Sequence, residues 1–330
     1  MATIKNIAQA AGFSAGAVSR ILNNDPTISV SPETKKRVFD IAQELNYQKS
    51  RNRDKSLFKM GILQWFSAEQ EMKDSYYLLV RQGIEDFCQK HSIGIIRAFQ
   101  SDASSIDTLQ DVDGLICIGK FSDEEIEKFM RICGNIVFLD MPVLDYKITT
   151  LTMDFKAAVY DALDYLTELG HKKIAYLGGK EYVGNQKLFT DERKQAFISY
   201  MNNHGLDADQ VYEDAFSTAS GYQMAQELLE NEDLPTAIFA ASDAIAFGAM
   251  RAIQEKGLSI PNDISIIGFN DTEMSSYTTP ALTTIFAPAY DMGQHGANLI
   301  YAATNLKINT PLKAKIPCQL VKRESCKKIN

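Results

Sequence analysis

Thr3-Ile-Lys-Asn-Ile-Ala-Gln-Ala-Ala-Gly-Phe-Ser-Ala-Gly-Ala-Val-Ser-Arg-Ile-Leu-Asn23 holds two short helical patterns around one tight turn. Thr3 is placed to cap the first, in which Ile4, Ile7, Ala8 and Ala11 recur at helical spacing. Gly12 tolerates the left-handed backbone just past a helix end and can stop that helix. Ser14 can cap the next, which carries Ala17, Val18, Ile21 and Leu22. Two helices of about two turns around a glycine-containing turn fit a helix-turn-helix, whose second helix can enter a DNA major groove. They also fit an ordinary helical hairpin at a domain edge, and the pattern alone leaves both readings open.

Working outward, Asn23-Asn24-Asp25-Pro26 reads as a turn cluster. Ser31 before Pro32 gives a cap followed by proline at the first helical position. Val38, Ile41, Ala42 and Leu45 then repeat at i, i+3, i+4 and i+7, which predicts a third helix closing a small core over the first two. Residues 46–58 are polar and basic and read as a linker. Residues 1–55 carry nine Lys/Arg and five Asp/Glu, a surplus of four positive charges. The whole chain is −8, so the remainder carries −12. A basic head on an acidic body points to a polyanion met by the head alone. Mixed-charge surface helices would give the same count; its coincidence with the helix pair favours DNA.

A chain of 330 residues, 45% hydrophobic and 23% charged, suits two or three soluble globular domains. It has no apolar run of about 18 residues that would span a membrane. It shows no secretory signal, and its five scattered cysteines have no metal-type spacing, so a reducing cytoplasm is expected. Most of these cysteines are expected to be buried, with Cys326 as an exposed thiol in a lysine-flanked tail. From Met60 onward, short apolar runs alternate with amphipathic helical patterns. The strand candidates are 60–66, 93–99, 114–118, 136–139, 173–177, 236–240, 264–267 and 318–321. Helical patterns fall between most of them, such as 76–90, 122–132, 156–169, 191–204, 219–230 and 243–256. This alternation predicts parallel sheets with helices on both faces, and so many strands divide best into two similar lobes. Ligands of such sheets bind at the carboxyl ends of the strands, which two facing lobes can turn toward a shared cleft.

Particular motifs now carry a resemblance. In the head they are Ile7-Ala8-Gln9-Ala10-Ala11 and Val18-Ser19-Arg20-Ile21-Leu22-Asn23. In the body they are Leu169-Gly170-His171-Lys172-Lys173-Ile174-Ala175, Ile260-Pro-Asn-Asp-Ile-Ser-Ile-Ile-Gly-Phe-Asn-Asp271, Leu282-Thr-Thr-Ile285 and Val321-Lys322-Arg323. In this order, over nearly the whole chain, they resemble the lactose/galactose repressor (LacI–GalR) family, and most nearly its galactose or β-galactoside branch. The resemblance implies an all-α helix-turn-helix domain with linker over 1–57. An α/β effector-binding and dimerisation domain would follow over 58–330, as two doubly wound lobes of periplasmic-binding-protein type. It makes Ser14–Asn23 the recognition helix, with Ala15, Gly16, Ser19 and Arg20 facing bases and Thr3, Asn23, Ser31 and Tyr47 near phosphates. Arg20 can reach a guanine with two hydrogen bonds or a phosphate, and Ser19 can do either more weakly. Ala15 and Gly16 depart from the longer polar side chains usual there, and offer only close approach and methyl contact. Residues 48–56 lack the family's Pro-Asn start, Ala-Arg pair and wedging leucine, so a hinge helix that kinks the minor groove is in doubt. A twofold dimer on a pseudo-palindromic double-stranded operator is expected, because one head makes too few contacts to find a site in a genome. The seven residues after Arg323 are too short for the leucine-rich tetramer helix of some relatives.

For the cleft, a sugar needs polar groups for its hydroxyls and an apolar face to stack on. Arg193, in Asp191-Glu192-Arg193-Lys194-Gln195-Ala196-Phe197, matches the family's ligand-binding arginine; its bland alternative is a helix-surface ion pair. Asn270 stands where relatives often have Asp. Asp140 and Ser242 sit at strand ends and Phe216 at an aromatic position; in the first lobe Trp65 closes the opening strand and Tyr76 starts the next helix, and both could stack on a ring. Trp65 and Phe216 read equally well as core, and Asp243 and Asp271 read better as structural. No catalytic set emerges: the four histidines are isolated, and there is no phosphate loop, nucleophile elbow or dinucleotide fingerprint. Gly178-Gly179 with Gly184 reads as a flexible loop. No cofactor, metal or membrane partner is expected. The resulting expectation is a non-enzymatic repressor induced by galactose or a galactoside. A co-repressed regulator and a stand-alone sugar-binding or sugar-modifying protein of the same fold are the alternatives.

Overall fold

The computed structural model describes residues 4–22, 28, 30–45, 58–73 and 75–329. The chain forms two compact units, Met1–Leu57 and Phe58–Asn330. In the first, helices α1 (Ile4–Ala11), α2 (Ala15–Leu22) and α3 (Pro32–Glu44) enclose Ile7, Ala8, Ala11, Val18, Ile21, Val38 and Ala42. Gly12 takes φ 74°, and the amides of Gly12 and Phe13 both donate to the Ala8 carbonyl at 3.0 Å, which closes α1. The Ser14 hydroxyl accepts from the Ala17 amide and the Ser31 hydroxyl from the Thr34 amide, each at 3.2 Å, so both helices start on a side-chain cap. Leu45, expected on the apolar stripe of α3, lies one residue past its end and is 38% exposed. Thr3, Asn23, Tyr47 and the linker over 46–57, with its hinge question, lie outside the described residues.

The second unit runs β1 (Lys59–Gln64), α4 (Ala68–Lys73), α5 (Tyr76–Lys90), β2 (Gly94–Phe99), α6 (Ala103–Asp107), β3 (Gly114–Ile118), α7 (Asp123–Ile132), β4 (Ile136–Leu139) and β5 (Thr149–Met153). It continues with α8 (Phe155–Glu168), β6 (Ile174–Gly179), β7 (Glu181–Val183), β8 (Lys187–Phe189), α9 (Glu192–Asn203), β9 (Val211–Asp214), α10 (Thr218–Leu228), β10 (Ala237–Ala240) and α11 (Asp243–Glu255). It closes with β11 (Ser265–Asn270), β12 (Thr283–Phe286), α12 (Ala289–Asn305), β13 (Lys313–Ile316) and β14 (Gln319–Val321). Two six-stranded sheets result, ordered β13-β5-β4-β3-β1-β2 and β14-β12-β11-β10-β6-β9. Their strands pair in parallel except for β14, which runs antiparallel to β12. The chain therefore passes between lobes at 153–155, 286–289 and 316–319, and the N-terminal lobe takes α12 and β13 from late in the sequence.

Alternation along each strand feeds two apolar layers per sheet. In the C-terminal lobe, Ile174, Tyr176 and Phe239 face Ala158, Phe197 and Tyr200 of α8 and α9, while Leu177, Ile238 and Ile266 face Leu228, Ala249 and Ile253 of α10 and α11. In the N-terminal lobe, Ile62, Ile116 and Leu139 meet Val80, Ile84 and Ile300, while Leu63, Leu115 and Phe138 meet Leu109, Ile126 and Phe129. Each lobe has one helix pair drawn close by glycines. A Cβ on Gly83 would lie 2.0 Å from the Tyr290 carbonyl oxygen, and one on Gly248 would lie 2.0 Å from that of Thr218.

Several elements have no counterpart among the expected runs. β5 and β12 are rich in threonine, yet Thr150, Thr152, Thr283 and Thr284 are buried, because their hydroxyl oxygens find partners or their β-branched stems fit the pleat. The Thr284 hydroxyl donates to Asp243 at 2.5 Å, and the Thr283 hydroxyl accepts from the Arg323 amide at 2.9 Å. β9 and β13 are edge strands with exposed polar positions, so neither shows an apolar run. α12 is built on Ala and Gly at its buried face, which gives a weak apolar period. Cys326 corrects an expectation: its thiol donates to the Ile266 carbonyl at 3.3 Å, and burial pushes it up to about 12.

Candidate functional site

On the head, α2 turns Val18 and Ile21 inward and leaves Gly16 and Arg20 exposed, with Ala15 and Ser19 half-buried beside them. Gly16 and Arg20, and Ala15 and Ser19, are each four residues apart, so the four side chains share one side of the helix. Ser14 and Ser31 are exposed, and each spends a hydroxyl lone pair on capping its own helix. A Cβ on Gly16 would meet nothing within 4 Å, so fold packing does not require glycine there.

In the second unit the strand ends assemble one cavity. Tyr76, Asp140, Arg193, Phe216 and Asn270 all line it, joined by Phe66, Tyr77, Phe155 and Glu181. Arg193, in the first turn of α9, lines the cavity with its side chain only 11% exposed and does not lie on an open helix surface. Its Nε donates to both oxygens of Asp191 at 3.0 Å, Nη2 donates to Asp191 at 2.7 Å, and Nη1 reaches the Ala241 carbonyl at 2.8 Å. The guanidinium stacks near Phe216, Phe155 and Phe269 at 4.8, 5.0 and 5.5 Å. Burial pushes the Asp191 carboxyl up, but the Arg193 guanidinium overrides it and holds Asp191 below the usual carboxylate range.

Asp140 follows β4 at φ 62° and Asn270 ends β11 at φ 111°. Both residues are held in the left-handed region, where Asp and Asn are better tolerated than most residues and where strain collects at functional sites. Asp140 Oδ2 accepts from the Tyr77 hydroxyl at 2.7 Å and from Lys120 Nζ at 2.6 Å. Its Oδ1 is buried with no hydrogen-bond partner within the protein. Such an acceptor is costly to bury unsatisfied and is suited to a hydroxyl donor.

Glu181 opens the hairpin β7–β8, and burial raises its pKa to about 7, with Lys120 opposing. The hairpin reaches from the C-terminal lobe to the N-terminal one. Phe189 packs into the apolar layer of Leu63 and Phe138 and lies 5.3 Å from Lys120 Nζ, and a Cβ on Gly184 would touch Ser122 at 3.0 Å. Gly178-Gly179 and Gly184 are thus not a flexible loop. Gly179 admits the Phe216 ring, which a Cβ would meet at 2.1 Å, and Gly184 turns the hairpin at φ 50°.

Beyond this gap lies a larger cleft of about 1020 Å³ between the lobes, where Trp65 and Phe216 both stand. Ser242 is not brought to either space. It is 1% exposed, and its hydroxyl caps α11 by accepting from the Ile245 amide at 3.2 Å; the neighbouring Ala241 carbonyl is what meets Arg193. Asp243 accepts from the Thr272 amide and the Thr284 hydroxyl, and Asp271 pairs with Arg323 at 2.7 Å. Sequence reasoning missed Lys120, Tyr77, Phe155 and Glu181. Lys120 and Glu181 each follow within two residues of a strand end, the position from which such sheets present ligand groups. Among the described residues no group of three or more His, Cys, Asp and Glu is arranged to hold a metal ion, and no helix is long and apolar enough to cross a membrane.

Residues 3–50 match the bacterial regulatory proteins of the lacI family, and residues 163–326 match the periplasmic binding protein-like domain. The chain is 35% identical over 333 residues to the HTH-type transcriptional regulator GalR of Streptococcus thermophilus, covering 99% of this chain and 100% of that one. It is 32% identical over 340 residues to the HTH-type transcriptional repressor MelR of Bacillus subtilis, covering 99% and 98%. The lac repressor dimer bound to operator and the anti-inducer ONPF superposes with a TM-score of 0.73 at 25% identity, covering 99% of both chains. These relatives are transcriptional regulators rather than enzymes, and the likeness runs through head and body together. The chain belongs to the LacI family of DNA-binding bacterial transcriptional regulators.

Proposed function

We propose that the chain is a repressor of transcription that binds a pseudo-palindromic operator as a homodimer and is released by galactose or a galactoside. The single observation that carries the sugar reading is the cavity where Tyr76, Asp140, Arg193, Phe216 and Asn270 meet. Its lining combines aromatic faces, a guanidinium held in place by Asp191 and Ala241, and an unsatisfied carboxylate oxygen, groups suited to a polyhydroxylated ligand. Ser19 and Arg20 are the polar base contacts, Ala15 and Gly16 allow close approach, and Ser14 and Ser31 lie near phosphates. Thr3, Asn23 and Tyr47 complete the phosphate set on the strength of the resemblance. Two heads are needed because a single module holds DNA weakly, and tethering makes the second contact intramolecular. Binding acts through a difference in affinity between two lobe arrangements.

The test is a thermal-shift screen of the full chain against monosaccharides and disaccharides, followed by operator binding with and without each hit. A ligand at 100 times its Kd stabilises by about 2.7 kcal/mol. Operator affinity falls steeply with salt, by about 0.9 log units per log unit for each phosphate contacted. A flat salt profile would remove the basic head from the mechanism. Tightened operator binding on adding sugar would make the ligand a co-repressor instead of an inducer.

A further inference from the structure

We propose that the β7–β8 hairpin is a latch built into the chain, which holds the two lobes against each other with no ligand bound and must withdraw Phe189 before the cleft can open. The inference does not depend on what the ligand is. The hairpin lies between β6 and α9 in sequence and pairs with neither six-stranded sheet. A two-stranded hairpin is at best marginally stable by itself, so side chains must hold this one in place. Glu181 lies opposite Phe189 in the register and Val183 is two residues on, so Glu181, Val183 and Phe189 share one face. Glu181 and Val183 are buried and Phe189 is half-buried on that face, whereas Tyr182 and Leu188 on the other are exposed.

The socket for that face belongs to the N-terminal lobe. Phe189 packs against the apolar layer that includes Leu63, Phe121 and Phe138. Lys120, paired with Asp140 at 2.6 Å, holds its Nζ 5.3 Å from the centre of the Phe189 ring, a cation–π contact largely out of water. At the tip, a Cβ on Gly184 would lie 3.0 Å from that of Ser122, the residue that caps α7. Both ends of the hairpin are rooted in the C-terminal lobe, at Gly179 of β6 and at Asp191, the cap of α9. Behind the hairpin lie two gaps of about 20 Å³ each, both lined by Asp140, Glu181 and Arg193 and each the size for one water. A larger molecule can fill the space between Asp140 and Arg193 only if the lobes part, and parting them takes Phe189 from its socket. The latch therefore sets the fraction of molecules open to any ligand and lowers apparent affinity by that fraction.

The experiment combines Ser122→Cys with Gly184→Cys in the full chain and equilibrates the pair with a glutathione redox buffer, which reads the effective concentration of one thiol at the other. Burial pushes all five native thiols up, so they compete weakly. The double variant is expected to close its disulfide with no ligand present. Adding Phe189→Ala is expected to lower the effective concentration about tenfold, for the loss of a partly buried ring. Phe189→Leu keeps the apolar bulk and loses the cation–π contact; it is expected to lower the value about threefold, and it serves if the alanine variant does not fold. Leu188→Ala, on the exposed face, is expected to leave it unchanged. The lost α7 cap and the strain of a side chain at Gly184, whose φ is 50°, are common to every chain compared. A pair that stays reduced, a value that neither Phe189 variant lowers, or an equal fall with Leu188→Ala would each overturn the latch.

Discussion

The head and the cleft use their functional side chains in opposite ways. On α2, Gly16 and Arg20 stand outside a core made by Ile7, Val18, Ile21 and Val38, so the residues proposed to read DNA are not the ones that fold the head. In the cleft, Arg193 pairs with Asp191 within the C-terminal lobe and Asp140 with Tyr77 and Lys120 within the N-terminal one, so the atoms proposed to meet the ligand also brace their own lobes. A surface of the first kind can change specificity at little cost in stability. A site of the second kind ties specificity to the integrity of the fold.

The largest expected effect tests the cleft side of this contrast. Arg193→Ala leaves Asp191 charged and buried, which costs about 3–5 kcal/mol. The effector unit should melt earlier and lose its response to effector, while operator binding persists below the new transition. Arg193→Lys keeps the charge but not the fork, and should restore melting without restoring response. An effector response that survives in either variant would remove Arg193 from the site.

The next test targets the head. Ile21→Ala deletes a fully buried side chain of a very small core and should cost about 2–5 kcal/mol. Operator binding should be lost, while the saccharide-induced thermal shift stays as in the parent chain. A loss of that shift would show that the two units are not energetically separate.

A third, on the order of 3 kcal/mol, uses pH. Glu181 has its folded pKa raised from 4.5 to about 7, so the folded chain keeps a proton that the unfolded chain has released. Its contribution is therefore fully present below pH 4.5 and is lost as pH rises through about 7. Urea unfolding of the parent and of Glu181→Gln should show the parent losing ground across that window and levelling above it. Parallel curves would mean that Glu181 is already ionised in the fold.

The smallest effect sharpens the head. Gly16→Ala replaces a glycine in the first turn of α2, with open space around it, and should stabilise the head by up to about 0.5 kcal/mol. Operator binding should not tighten with it. A proportionate gain in affinity would show that folding of the head, and not contact with DNA, limits binding.

The contrast also explains what could be read in advance. The head was legible because its caps, Gly12 and apolar spacing are all local to about twenty residues. Asp140, Arg193 and Asn270 were legible because they follow strand runs or sit in a specific motif. Ser242 was misread because a serine after a strand serves equally as a helix cap, and here it does. Glu181 went unseen because the β7–β8 hairpin has three-residue strands without an apolar run, and the opposite lobe covers it through Phe189. β5 and β12 were hidden by their threonines, of which Thr149, Thr283 and Thr284 find hydroxyl partners only in three dimensions.

The passages between lobes at 153–155, 286–289 and 316–319 bear on how the protein is made. Synthesis delivers the first strands of the N-terminal lobe early, yet that lobe waits for α12 and β13 until nearly the whole chain has emerged. Until then Val80, Ile84 and Ile116 lack the Met292, Ala297 and Ile300 that cover them in the finished molecule. The C-terminal lobe, contiguous from α8 to β12, can complete all but its edge strand first. The lobe born first is thus the one finished last, and a ribosome paused before residue 289 would hold a nascent chain with that apolar face open to chaperones.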